Sequence, residues 1–308
     1  MTSRKYLLQW LCCAPSFLVL AVFLAIPRGT STAKQAKRDS LRIGTSGKLT
    51  GQGADGAREK AGMDSLKSYI KDETGFDNEI IPQTDWQELA EQLSKKKLDL
   101  GIFQGYEFAW VQEKYPDLKP LTVAVNVYMN PVAYVVTQRT DPAKDFAGLK
   151  GYSLSIPATG DHFLRLFVDR ESEANGQKAD AFFSKMPVSE NVEDALDDLV
   201  DGKVQSLVTT RVGLEGYKRR KPGRFKQVKE VAHSKPFPPP VVVYQHSALD
   251  DATLRRFKES LLGAAKKERG QTLLTLFHLT SFELPPDDLN RVLADTRKEY
   301  PPPVTKAK

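Results

Sequence analysis

Hydrophobic and polar positions follow two rhythms along this chain. Residues 41–44 (LRIG) read as a short strand and 45–56 as a glycine-rich loop. Met63, Leu66, Tyr69 and Ile70 then recur at helical spacing up to Gly75, which places one apolar stripe on a helix. Residues 79–82 read as a second strand. Asp85 followed by Glu88 forms a capping-box pattern. It precedes a helix with Trp86, Leu89, Ala90 and Leu93 inward. Residues 98–103 (LDLGIF) are a compact apolar strand. It runs into Gln104, Gly105 and Tyr106 and an aromatic-rich helix start at Phe108 and Trp110. The order β-α-β-α-β-α predicts a mostly parallel sheet with helices on both faces.

The middle of the chain repeats this grammar. Residues 121–127 and 133–137 predict strands. The stretch 149–163 (LKGYSLSIPATGDHF) carries the most information. Residues 152–156 read as a strand, 157–160 break it, and a helix starts at Asp161 with Phe163, Leu166 and Phe167 on one face. A strand that feeds a helix through a tight turn points bare backbone N–H groups outward, and such a site suits an anion. Residues 181–188 predict a strand. Asn191 caps a helix with Ala195, Leu196, Leu199 and Val200 inward. A strand at 205–208 ends in Thr209 and Thr210, and a helix follows from Val212 to about Lys218. Residues 226–232 and 241–245 (VVVYQ) predict strands on either side of a proline-rich run. A long amphipathic helix starts at Asp250 or Asp251, and one or two further helical segments close the chain. Two such units joined by two extended crossovers predict two α/β lobes with a cleft between them. Clefts at the carboxyl ends of strands are where such folds bind ligands.

The N-terminus departs from this pattern. Arg4 and Lys5 precede a charge-free run over 6–27, with Ser31, Thr32 and Ala33 after it. This is the layout of a cleaved export signal. The same run could just span a bilayer, so an uncleaved N-terminal anchor is the alternative. Cys12 and Cys13, the chain's two cysteines, lie inside it. The mature chain then has no disulfide framework, thiol nucleophile or cysteine metal site. Net charge falls from +6 to +3 once Arg4, Lys5 and Arg28 are removed, so the mature protein is only mildly basic. The basic run at 218–226 is interleaved with one aromatic residue, Phe225, and reads as a solvated face rather than a nucleic-acid surface. The four histidines show no metal spacing, and neither a G-x-S-x-G elbow nor a P-loop is present. The reading is therefore not an enzyme, with no cofactor and no metal.

Five blocks in order carry a family resemblance. They are LDLGIFQGYEFAW, DFAGLKGYSLSIP, VEDALDDLVDGKVQSLVTT, the proline-rich return strand and the amphipathic helix after it. Over roughly residues 41–262 the chain resembles the periplasmic phosphonate-type solute-binding proteins of ABC importers. The resemblance implies an α/β, two-lobe periplasmic binding protein fold of type II, each lobe a mostly parallel sheet flanked by helices. The N-terminal pattern itself places a signal peptide over 1–33 and a polar, basic linker over 34–40. Lobe 1 would be 41–130 plus 238–308, and lobe 2 would be 131–237. The resemblance further implies an exported, monomeric protein that closes on a small phosphonate- or phosphate-like oxyanion and delivers it to a permease. A sensory or interaction module of the same fold, with a different ligand or none, is the alternative.

The family's hydroxyl-rich Ser-Thr-Ser turn is replaced here by Ala158, Thr159, Gly160, Asp161 and His162. Asn191 and Val192 stand where the family has a histidine before the helix. Thr209 or Thr210 stands where an acidic residue often ends the cleft strand. The candidate ligand residues are Thr45, Ser46, Tyr106, Thr159, Gly160, His162, Thr209 and Thr210. Thr159 or Asp161 could instead cap the helix. The Asp161 carboxylate would occupy the positive field that an anion would use. Tyr128 and Tyr134, beside the first crossover, are weaker candidates.

Overall fold

The computed structural model describes residues 40–46, 56–158 and 161–303. The leader and linker readings lie outside these residues. Among the described residues no helix is long and apolar enough to cross a membrane.

The first sheet contains β1 (Ser40–Ser46), β2 (Asp77–Gln83), β3 (Leu100–Phe103), β4 (Leu118–Val125), β10 (Val241–Gln245) and β11 (Ser281–Glu283). Its order is β11-β4-β10-β3-β1-β2. Alternation along β1 sends Leu41 and Ile43 to one face. There they meet Leu66 and Ile70 of α1 (Gly56–Thr74) and Phe257 and Leu261 of α9 (Asp251–Leu262). The other face is covered by α2 (Trp86–Ser94), α3 (Gly105–Val111) and α11 (Leu289–Glu299), through Leu89, Phe108 and Leu293. The expected cap of α2 is present: the Asp85 carboxylate accepts from the Gln87 and Glu88 amides. A further helix, α10 (Glu268–Leu276), lies between α9 and β11 in sequence.

The second sheet contains β5 (Ala133–Gln138), β6 (Leu154–Pro157), β7 (Val188–Ser189), β8 (Ser206–Thr210) and β9 (Val228–His233), in the order β7-β6-β8-β5-β9. One face packs on Phe163 and Phe167 of α4 (His162–Ala174) and Phe182 of α5 (Ala179–Phe182). The other packs on Leu196 and Leu199 of α6 (Val192–Val200) and Tyr217 of α7 (Arg211–Arg220). The basic run continues through the short α8 (Pro222–Phe225). Its Arg220, Lys221 and Arg224 pair with Glu193, Asp197 and Asp201 on and after α6. Half of the run's cations are thus matched by acids on and after the neighbouring helix.

One expectation needs correction. The strand expected over 181–188 is a helical turn, α5, followed by a two-residue strand at Val188 and Ser189. Phe182 and Phe183 stack on Phe146, with ring centroids 5.4 and 5.8 Å apart. Periodicity cannot tell such a short apolar run from a helical turn. Each sheet is mostly parallel, as expected: β2, β1, β3 and β4 run one way against β10 and β11, and β7, β6, β8 and β9 run one way against β5. The reason is geometric. β1, β3, β6 and β8 end at the cleft, while β5 and β10 arrive from the other lobe and start there.

The two crossovers, 126–132 and 234–240, run side by side. The Phe237 amide donates to the Pro131 carbonyl at 2.8 Å, and the Ala124 amide to that of Pro240 at 2.8 Å. Val127 on the first crossover has φ 61°, a strained conformation for a β-branched residue.

Candidate ligand site between the lobes

A cavity of about 370 Å³ lies between the two sheets, within the roughly 300–1,000 Å³ of small-molecule sites. Strand-to-helix junctions from both lobes form its walls. From the first lobe, β3 delivers Gln104, Gly105 and Tyr106 at the start of α3. From the second, β8 delivers Thr210, Arg211, Val212 and Gly213 at the start of α7, and Asp161 precedes α4. Asn126, Tyr128 and Asn130 line it from the first crossover.

Gly105 is required where it stands. A Cβ there would lie 2.1 Å from the Pro238 carbonyl oxygen, so only glycine lets the return crossover pass over the first turn of α3. Tyr106 beside it packs edge-on to Trp110 at 5.0 Å and reaches the second-sheet core. Burial pushes its hydroxyl pKa up, so it meets the cavity as a neutral group.

The charged corner of the site is on α7. The Thr210 hydroxyl caps this helix, accepting from the Gly213 amide at 3.2 Å. The amides of Arg211 and Val212 lie in the first turn and have no intrahelical partner. The Arg211 guanidinium sits 4.4 Å from the Tyr128 ring centroid and donates to Glu215 at 2.9 Å. The Tyr128 hydroxyl donates to the same carboxylate at 2.6 Å. That hydrogen bond, with the one from Arg211, lowers the Glu215 pKa. The first crossover is thereby tied to α7 through a paired cation.

A second polar group lies behind the first-lobe wall. The Ser46 hydroxyl and the Gln104 amide both donate to the Glu107 carboxylate, the latter at 3.0 Å. Burial raises the Glu107 pKa to about 7, and these two hydrogen bonds only partly offset it.

The cavity collects a minority of the residues singled out from the sequence. Tyr106 and Thr210 line it. Thr45 is fully buried within β1, and Ser46 turns to Glu107. Thr209 is fully buried behind the wall, its hydroxyl without a hydrogen-bond partner among the described residues and close to Gly213. His162 begins α4 half-buried, and burial lowers its pKa. A neutral imidazole there does not offset Asp161. Asp161 holds the N-cap position of α4 without making the cap hydrogen bond. Thr159 and Gly160 lie outside the described residues. Arg211, Gln104 and Asn126 were missed. The signal for Arg211 was its place directly after a strand end, at the first position of a helix. Tyr128 and Tyr134, the weaker candidates, both line the cavity.

Among solved structures the chain is similar to a Xanthomonas citri protein bound to chloride ion. That match has 15% identity and TM-score 0.60, and covers 85% of this chain and 98% of the other. It is similar to PhnD1 from Prochlorococcus marinus in complex with methylphosphonate, at 12% identity and TM-score 0.57, covering 85% and 98%. A binding protein component of an ABC phosphonate transporter from Pseudomonas aeruginosa matches at 12% identity and TM-score 0.53, covering 85% and 88%. These likenesses establish the two-lobe fold. No curated protein matches the chain. The sequence itself matches the family described as "ABC transporter, phosphonate, periplasmic substrate-binding protein" over residues 54–289. With that match across most of its length, and with the two-lobe fold and interlobe cavity already described, the chain belongs to the periplasmic substrate-binding proteins of ABC phosphonate transporters.

Proposed function

We propose that this protein captures a phosphonate- or phosphate-like oxyanion between its lobes, after export, and presents it to the membrane permease of an importer. It acts as a monomer and performs no chemistry on the ligand. The observation that carries this reading is the start of α7, where two first-turn amides, the Thr210 hydroxyl and the Arg211 guanidinium meet at the cavity. A helix N-terminus attracts an anion through its N–H groups and dipole, and a guanidinium adds charge-assisted hydrogen bonds. The ligand would take the place of Glu215 on Arg211. Closing the lobes on it stabilises the closed state by the contacts that only that state makes. Asp161 works against a fully charged anion on the α4 side, which concentrates binding on α7.

Calorimetry with methylphosphonate, phosphite and phosphate tests the reading. Saturable heat with at least one is expected, and Arg211→Ala should weaken it roughly 10- to 100-fold, the cost of about 1.5–3 kcal/mol for a hydrogen bond to a charged group. No heat with any of the three overturns it.

A further inference from the structure

The cavity extends well beyond what a tetrahedral oxyanion needs. At about 370 Å³ it has the volume of roughly a dozen waters at ~30 Å³ each, and a single oxyanion group fills a small part of that. Its carboxylate and guanidinium side chains, Asp161 and Arg211, both belong to the second lobe. Away from Gln104, Asn126 and His278, the first-lobe side is apolar. Leu66 and Ile70 of α1, Phe257 and Leu261 of α9, and Phe277 and Phe282 after it all border the space. Ile70, Phe257 and Leu261 are packed against one another's helices and the sheet, while Ile102, Phe277, Leu279 and Phe282 are only half-buried and supply the apolar surface of the space.

Protein interiors are otherwise close-packed, and a space with apolar walls takes apolar ligands. The space is continuous with the charged corner on α7, so one molecule can occupy both. We infer that the ligand is an amphiphilic oxyanion, with an alkyl or aryl chain on the phosphonate or phosphate head. The head sits at α7 and the chain runs between α1, α9 and the first sheet. This inference rests on the oxyanion reading above and specifies what the oxyanion carries.

Calorimetry of the full chain with methyl-, propyl-, hexyl- and octylphosphonate, each below its micelle concentration, and with 1-octanol tests it. Affinity should rise about fourfold per added methylene until the space is filled, the factor equivalent to ~0.8 kcal/mol per buried CH₂. Leu279→Trp, which fills the first-lobe side, should cut the hexyl-to-methyl affinity ratio at least tenfold. Leu66→Phe should do the same and serves if the first variant does not fold. Equal affinity across the series overturns the inference and leaves the oxyanion reading standing. Binding of octanol with no binding of any phosphonate overturns both, because the head is then not recognised. No binding of any compound also overturns both.

Discussion

Glu107 shows how burial sets the chemistry of a single residue. Its carboxylate ordinarily titrates near 4.5 and is raised here to about 7, chiefly by desolvation. Between those values the folded protein holds a proton that the unfolded chain releases. Stability therefore falls as pH rises through that window, by up to roughly 3 kcal/mol above pH 7. A Glu107→Gln variant keeps an acceptor for the Ser46 hydroxyl and the Gln104 amide but has no proton to lose. Urea unfolding should show the variant gaining about 2–3 kcal/mol relative to wild type between pH 5 and pH 8. A constant difference across that range would mean that Glu107 is neutral throughout or solvated. Ser46 was visible in the sequence as a polar residue after a strand. Its engagement with Glu107, 61 residues later, was not, because strand pairing creates it.

At the scale of elements, the strand-to-helix junctions do the positioning, and the legible part of each was its cap. Asp85, Asn191 and Asp250 each accept from backbone amides of the helix they precede. Their side chains compete for backbone groups locally, so short-range pattern finds them. Gly105 was also visible, but its reason was not. The constraint comes from Pro238 and Pro239, more than a hundred residues later. Gly105→Ala forces a backbone displacement at the hinge side of the cavity. It should cost about 1–3 kcal/mol or more, as overpacking does, read as a lowered urea midpoint. An unchanged midpoint would show that the return crossover is loosely seated. The failed strand over 181–188 teaches the converse. Its two phenylalanines are buried, and their three-ring stack with Phe146, not the local apolar pattern, decided the conformation.

Across the whole molecule, the two crossovers are not the only link between lobes. α11 packs on the first lobe through Leu289 and Leu293, yet Tyr300 at its end lies in the core beneath the second sheet. Its ring stacks on Phe237 at 4.6 Å, and its carbonyl accepts from the Trp110 indole at 2.6 Å. Tyr300→Ala should destabilise the protein by about 3 kcal/mol, the usual cost of truncating a buried aromatic. Scattering should also show a broader spread of lobe separations. Loss of stability with an unchanged scattering profile would make Tyr300 a core residue and not a strap.

The pattern of apolar positions determined by itself that this is a two-lobe α/β chain, where most strands and helices begin, and which family it resembles. Those properties depend on local spacing and on the order of blocks, both written along one dimension. Tertiary structure alone decided which strands run against the rest of each sheet, that Arg211 and Tyr128 meet at the cavity, that Thr45 and Thr209 are buried behind its walls, and that an apolar space lies beside the charged corner. Each of these depends on residues 80 or more apart being brought together, or on which side of a strand faces a neighbour. No local rhythm encodes a distance of that kind.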